Sequence, residues 1–182
     1  MGAAGGFGSL GHLAGRFFGA LSPVGPPSAD GQWALDHLLP GERVLWLRMS
    51  GPDRRHAVGV ARRTQMLLGG APPDREVLAG ALLHDVGKVE SGLGTFARVA
   101  VTVAAITVGR DRLVGPARSG RSSAARDRAR AYLTHDRIGG ELLREAGSDP
   151  RTAAWAEEHH LDPHRWSVDR RVGAALKAAD DD

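Results

Sequence analysis

No cysteine occurs among the 182 residues. Disulfides and thiolate ligands are therefore excluded, and any bound metal must be held by nitrogen and oxygen. Aromatic residues make up only 5% of the chain, with a single tyrosine. They do not interleave with basic residues, and no recognisable nucleic-acid-binding motif is present, so no specific nucleic-acid binding is expected. Lysine is scarce: Lys88 and Lys177 stand against 22 arginines among the 24 basic residues, for a net charge of +3. Guanidinium groups keep their charge and fork onto phosphate oxygens, which suits a phosphate-bearing ligand. An Ala-, Gly- and Arg-rich composition is also what a GC-rich genome produces, and that plainer explanation outweighs the first. Internal repeats and low-complexity tails are missing. No apolar run reaches transmembrane length. With 42% hydrophobic and 25% charged residues the chain has the make-up of a soluble globular protein of one domain, expected to be cytoplasmic.

What is present divides at about residue 30. In residues 1–30, Phe7, Leu10, Leu13, Phe17, Phe18 and Leu21 recur at roughly helical spacing before the Pro/Gly-rich stretch 22–28. This predicts an amphipathic arm with a linker, followed by one domain over residues 31–182. The arm lacks the continuous apolar core and cleavage site of a secretory signal. Docking on its own chain is the expectation; self-association and a weak peripheral membrane contact are the other uses of such a segment. His12 is read as a bystander.

From residue 31 the pattern is helical. Asp53 is the expected N-cap of a helix over 54–68, with His56 in its first turns. Pro72-Pro73-Asp74 opens a helix that runs to His84-Asp85. Gly80 and Gly87 each cost about 1 kcal/mol of helix stability against Ala, which predicts a close helix contact or a nearby ligand in return. Residues 96–108 read as a buried helix. In residues 109–130, seven arginines face only Asp111 and Asp127, a solvated surface segment or a lid that lowers guanidinium groups over a phosphate. A helix over 132–146 carries His135 in its first turns, with Gly139-Gly140 permitting close approach of a neighbour. Ser148-Asp149-Pro150 starts the next helix, which ends in His159-His160. The last helix is expected from Ser167, with Asp180 beside its apolar stripe. His37 is read as a surface or core group and not a ligand; His164 is read as a surface group, with a place beside Trp166 on the pocket rim as a further use. The sum is an all-α bundle.

The chemistry concentrates at Leu83-His84-Asp85-Val86-Gly87-Lys88. A histidine and an aspartate at the end of an apolar helix are hard to bury without a partner, and a metal ion would supply one. Adjacent helical side chains diverge by about 100°, so the pair could grip one ion from two directions, or Asp85 could bridge two. On a continued helix Lys88 would share the face of His84 and could hold an anionic substrate.

The series His56, His84-Asp85, His135, His159-His160 and Asp180 resembles the HD-domain superfamily of metal-dependent phosphohydrolases over residues 50–182. The resemblance implies one metal on His56, His84, Asp85 and Asp180. It implies a second on His135 and His159, bridged by Asp85, with His160 a ligand or a substrate contact. Such a nitrogen/oxygen set suits Mn, Fe, Co, Ni or Zn. Two ions about 3.5 to 4 Å apart would lower the pKa of a bridging water and turn the resulting hydroxide toward phosphorus. Lys88, with Arg55 or an arginine of 109–130, would neutralise the phosphoryl oxygens. The implied activity is hydrolysis of a phosphomonoester or phosphodiester, with a nucleotide as the expected carrier.

The cyclic-dinucleotide phosphodiesterases of the HD-GYP type are similar at residues 84–88, at His135 with Gly139, and at His159-His160. The chain departs from them in reading Leu161-Asp162-Pro163-His164-Arg165-Trp166 where that type has a Glu and its Gly-Tyr-Pro signature. Two alternatives stand beside hydrolysis. Di-iron oxygenases related to myo-inositol oxygenase use the same scaffold with a comparable lysine, and a non-catalytic regulatory module could hold structural metals. The complete ligand series argues against the module.

Overall fold

A segment that is apolar on every side is stable only when surrounded. Val77-Leu78-Ala79-Gly80-Ala81-Leu82-Leu83 is such a segment, and all seven residues are buried. In the computed structural model, which describes residues 24–69, 73–115 and 123–181, it forms most of α4 (Arg75–Leu83), the helix against which the bundle packs. Before it come α1 (Ser28–Asp36), α2 (Pro40–Arg48) and α3 (Gly51–Leu67). After it come a 3-10 turn (Val86–Ser91), α5 (Thr95–Val108), α6 (Arg110–Val114), α7 (Ala124–Leu133), α8 (His135–Glu145) and α9 (Pro150–Glu158). A second 3-10 turn (Pro163–Arg165) leads to α10 (Arg170–Asp181). The described residues contain no strand, so the fold is all-α as expected.

Helices α3 and α9 flank α4; α10 lies on α3, and α8 lies on α9 and on the first 3-10 turn. Trp46, Val60, Leu78, Leu82, Leu143 and Leu176 interlock at the centre. Fully buried Glu42 ties α2 to the start of α4, accepting from the Leu39 N–H at 2.8 Å and from Arg75 at 2.9 Å.

Several boundaries differ from the sequence reading. Helix α3 starts at Gly51, capped by Ser50, whose Oγ accepts the Asp53 N–H at 3.3 Å. Pro52 fits the first turn because no N–H is needed there. Asp53 is thus not the cap; its carboxylate accepts the Ser50 hydroxyl at 2.6 Å and the Arg98 guanidinium at 2.8 and 2.9 Å. The helix expected over 132–146 is two helices broken at Thr134 (φ −116°, ψ 24°), whose Oγ1 donates back to the Arg130 carbonyl at 2.9 Å. The last helix starts at Arg170, because Asp169 accepts the N–H groups of Arg171 and Val172 at 3.0 and 3.1 Å. Ser167 is engaged instead by Glu158.

Helix α5 is helical as expected but not buried. Arg98, Val101, Ala104 and Ala105 form its more enclosed side, whereas Val99, Val103 and Ile106 are 39%, 54% and 65% exposed. The helix is apolar on two faces, and among the described residues it meets neighbours along only one of them. No single helix among the described residues is long and apolar enough to cross a membrane; Arg75–Ser91 and Thr95–Val108 pass that test only together, across an 89° bend.

Trp166 lies on Trp155 with ring centroids 5.4 Å apart and donates Nε1–H to the Glu158 carbonyl at 3.1 Å, which makes it a packing residue and not a rim residue. His164 is exposed beside Asp162. In the basic stretch, Arg110 donates to the Leu133 carbonyl and Arg126 to those of Arg112 and Gly115, so these two tie α6 to its surroundings. The arm over residues 1–23, Pro72, and Arg118 and Arg121 of the basic stretch lie outside the described residues.

Candidate metal centre

A helix leaves the carbonyls of its last turn without N–H partners. Three histidines sit where they can use those carbonyls: His84 at the end of α4, His159 at the end of α9, and His135 just past the end of α7. His84 Nδ1 lies 2.9 Å from the Ala81 carbonyl, His159 Nδ1 2.9 Å from that of Ala156, and His135 Nδ1 2.7 Å from that of Tyr132. A carbonyl can only accept, so each Nδ1 carries the hydrogen and each Nε2 is turned to the interior. All three Nε2 atoms are buried without a hydrogen-bond partner. Leaving one such atom unsatisfied costs about 1–3 kcal/mol. Three such atoms in one region of the interior fit cations that take their lone pairs.

The packing brings the donors together in two sets. From the α3 and α10 side, His56 and Asp180 meet His84, with ligand atoms all within 4.8 Å of one another. His56 Nε2 lies 3.0 Å from Asp180 Oδ1, and His84 Nε2 lies 3.6 Å from the same oxygen. From the α8 and α9 side, His135, His159 and His160 form a second set within the same limit. Asp85 stands between the two. Its Oδ2 is 3.4 Å from His84 Nε2, while its Oδ1 is 3.1 Å from His135 Nε2 and 3.9 Å from His159 Nε2. One carboxylate thus offers an oxygen to each set, which is the geometry of a bridge.

Lys88 is placed differently from the sequence reading. Residues after Asp85 wind as a 3-10 turn, where side chains at i and i+3 eclipse. Lys88 therefore stands over Asp85 and not His84, donating from Nζ to Asp85 Oδ2. Burial opposes its charge, but Asp85 and then Asp53 hold its pKa above the ordinary lysine value. Burial likewise opposes the charge of Asp85, yet Lys88 and then His84 keep its carboxyl well below the usual range. Asp180 is lowered too: burial resists, and His84 with His56 outweighs it. Burial pushes His84 down, but Asp85 and Asp180 overcome it and raise its pKa to about 10. The two carboxylates thus favour positive charge at His84, as they would favour a metal cation there. In the second set burial, then His160, drive His159 well below its usual value, and burial, then His135, bring His160 to about 4 although His160 is exposed.

Close backbone packing sets the turn that follows Asp85 against α8. A Cβ on Gly87 would lie 2.6 Å from the Gly139 nitrogen and closer still to the His135 carbonyl oxygen. Gly87 is thus the close helix contact that its cost predicted. Gly80 is not: the nearest atom to its Cβ would be Trp155 Cβ, at an ordinary 3.6 Å.

Arg55 donates to the Val24 carbonyl. The sequence reading missed Tyr132, whose carbonyl orients His135 and whose ring stacks on it at 5.9 Å and 22°. It also missed Arg98, which holds Asp53 near Lys88. The signal for Tyr132 was available: a histidine three residues past a helix carbonyl can bond it.

Among the described residues, an all-helical scaffold that gathers imidazoles and carboxylates around one central aspartate fits a metal-binding helical class. The HD domain family matches residues 54–181, and the chain belongs to that family, the HD superfamily of metal-dependent phosphohydrolases. No curated protein and no solved structure matches it.

Proposed function

We propose that the chain hydrolyses a phosphomonoester or phosphodiester carried by a nucleotide, using two divalent ions, one on each His set. The observation that carries this reading is Asp85, with one oxygen toward each set and Lys88 bound to it. His56, His84, Asp180 and one Asp85 oxygen would hold one ion; His135, His159, His160 and the other oxygen would hold the second. Bound divalent ions supply Lewis-acid polarisation of a phosphoryl oxygen and lower the pKa of water. The chain supplies the rest. The backbone carbonyls of Ala81, Tyr132 and Ala156 fix the imidazoles so that Nε2 needs no reorganisation. Lys88 keeps its proton and presents a partly exposed ammonium beside the bridge, positioned to balance charge on phosphoryl oxygens. His160, the exposed member of its set, would meet an arriving substrate first.

The test is a screen of protein loaded with Mn, Co, Zn or Fe against nucleoside mono-, di- and triphosphates and cyclic nucleotides, reading phosphate or nucleotide product. Turnover that Asp85→Asn abolishes supports the proposal. Iron-dependent oxygen consumption with no product from any phosphate ester would transfer the site to the oxygenase reading.

A further inference from the structure

Helix α5 poses a question that the metal centre does not answer. Its outer face carries Val99, Val103 and Ile106 in one stripe at i, i+4 and i+7, all exposed. A helix apolar on two faces is normally covered on both.

The chain contains a segment that matches this stripe. On a helical projection of residues 7–21, Phe7, Leu10, Leu13, Phe17, Phe18 and Leu21 fall on one side, and Ser9, His12 and Arg16 on the other. As a helix these residues would extend about 22 Å, close to the roughly 21 Å of the 14-residue α5. The point of attachment is also right. Val24, where description of the chain begins, is bonded through its carbonyl to Arg55 of α3. Two residues away on the same helix, Asp53 holds Arg98 of α5 through both carboxylate oxygens. The segment therefore joins the fold beside the tether of α5, with only Ser22-Pro23 between its last apolar residue and that anchor.

We infer that the exposed Val99/Val103/Ile106 face of α5 is a docking surface, in cis, for the apolar side chains of residues 7–21. Attachment to the same chain gives the segment an effective concentration in the millimolar range, which a second copy or a membrane reaches only at high concentration.

The absence of cysteine gives a clean test. A Val103→Cys variant of the full chain carries one thiol, and its reaction rate with a water-soluble disulfide reagent reports cover at that position. The thiol should react at least about tenfold more slowly than in the same protein carrying Phe17→Ser and Phe18→Ser, at every protein concentration. Leu10→Ser with Leu13→Ser should release it equally, so that the result does not hang on one variant, and far-UV circular dichroism checks that each remains folded. Equal, fast reaction in all three proteins would overturn the inference. Protection that grows with protein concentration would assign the face to a second copy. Protection seen only with vesicles of phosphatidylcholine and phosphatidylglycerol would assign it to a lipid surface, and either result would also overturn cis docking.

Discussion

Replacing Gly87 by Ala puts one methyl group where the first 3-10 turn touches α8. The new Cβ would sit 2.6 Å from the Gly139 nitrogen, against an ordinary contact of 3.4 Å or more, and the neighbouring atoms are backbone that cannot rotate away. The His135 carbonyl oxygen is closer still, so the turn and α8 must part by more than about 1 Å, at a cost of about 1–3 kcal/mol for overpacking. For a chain of this size each kcal/mol moves Tm by about 2–4 °C, so Gly87→Ala should melt about 2–12 °C lower. The same displacement separates Asp85 Oδ1 from His135 Nε2, now 3.1 Å apart. Metal affinity at the His135, His159 and His160 set should fall about 10- to 100-fold, while the set of His56, His84 and Asp180 keeps its affinity. Gly80→Ala is the matched control. Its methyl finds ordinary space, so removing a helical glycine should raise stability by about 0.5–1 kcal/mol. Calorimetric melts with metal titration of the three proteins measure both effects. A Gly87→Ala protein with unchanged Tm and unchanged metal binding, or a Gly80→Ala protein equally damaged, would refute the packing argument.

Other outcomes follow from the same geometry. His56→Ala and His135→Ala should each lose about one metal equivalent, because they belong to different sets, whereas Asp85→Asn should weaken both; atomic absorption on the purified variants decides. Lys88→Met should retain metal but lower kcat/KM by about 10²- to 10³-fold on any phosphate ester the protein hydrolyses, as steady-state kinetics would show. In chelator-treated protein, stability should fall on both sides of about pH 6.5. The raised pKa of His84 gives stability that is complete below its unfolded value and is lost as pH climbs toward about 10. The lowered pKa of His160 works in reverse: its unfolded form binds the proton first, so stability drops as pH falls from about 6.5 toward 4. Each group contributes a slope of at most about 1.4 kcal/mol per pH unit, measurable by urea denaturation at pH 5, 6.5 and 9. Stability that rises from pH 6.5 to 9 would contradict the assignment of the His84 proton.

The parts of this account legible in the sequence are those fixed by local chemistry. The apolar segment before His84-Asp85 had to be buried, and it is the central helix. Asp149 before Pro150 signalled a helix start, and its carboxylate caps Arg151 at 2.8 Å. Groups far apart in the chain, His56 and Asp180 among them, could be brought into one set only through the order of residues in a family pattern; the apolar stripe beside Asp180 turns it inward without naming its partners, and nothing near His56 marks it. The missed features depend on a choice between near-equal backbones. Residues 86–91 can continue an α-helix or tighten to a 3-10 turn, and that choice decides whether Lys88 meets His84 or Asp85. Thr134 can sit within a helix or break one, and the break leaves His135 as the first residue of α8. The exposure of α5 was not legible because an apolar sequence specifies burial without naming the partner that provides it.

The most direct test of the central claim is elemental analysis of protein purified without chelators and without added metal. Two His sets joined by Asp85 predict about two transition-metal ions per chain. A value near zero that added Mn, Fe, Co, Ni or Zn cannot raise would contradict it, leaving the buried Nε2 atoms of His84, His135 and His159 without the cation that their arrangement requires.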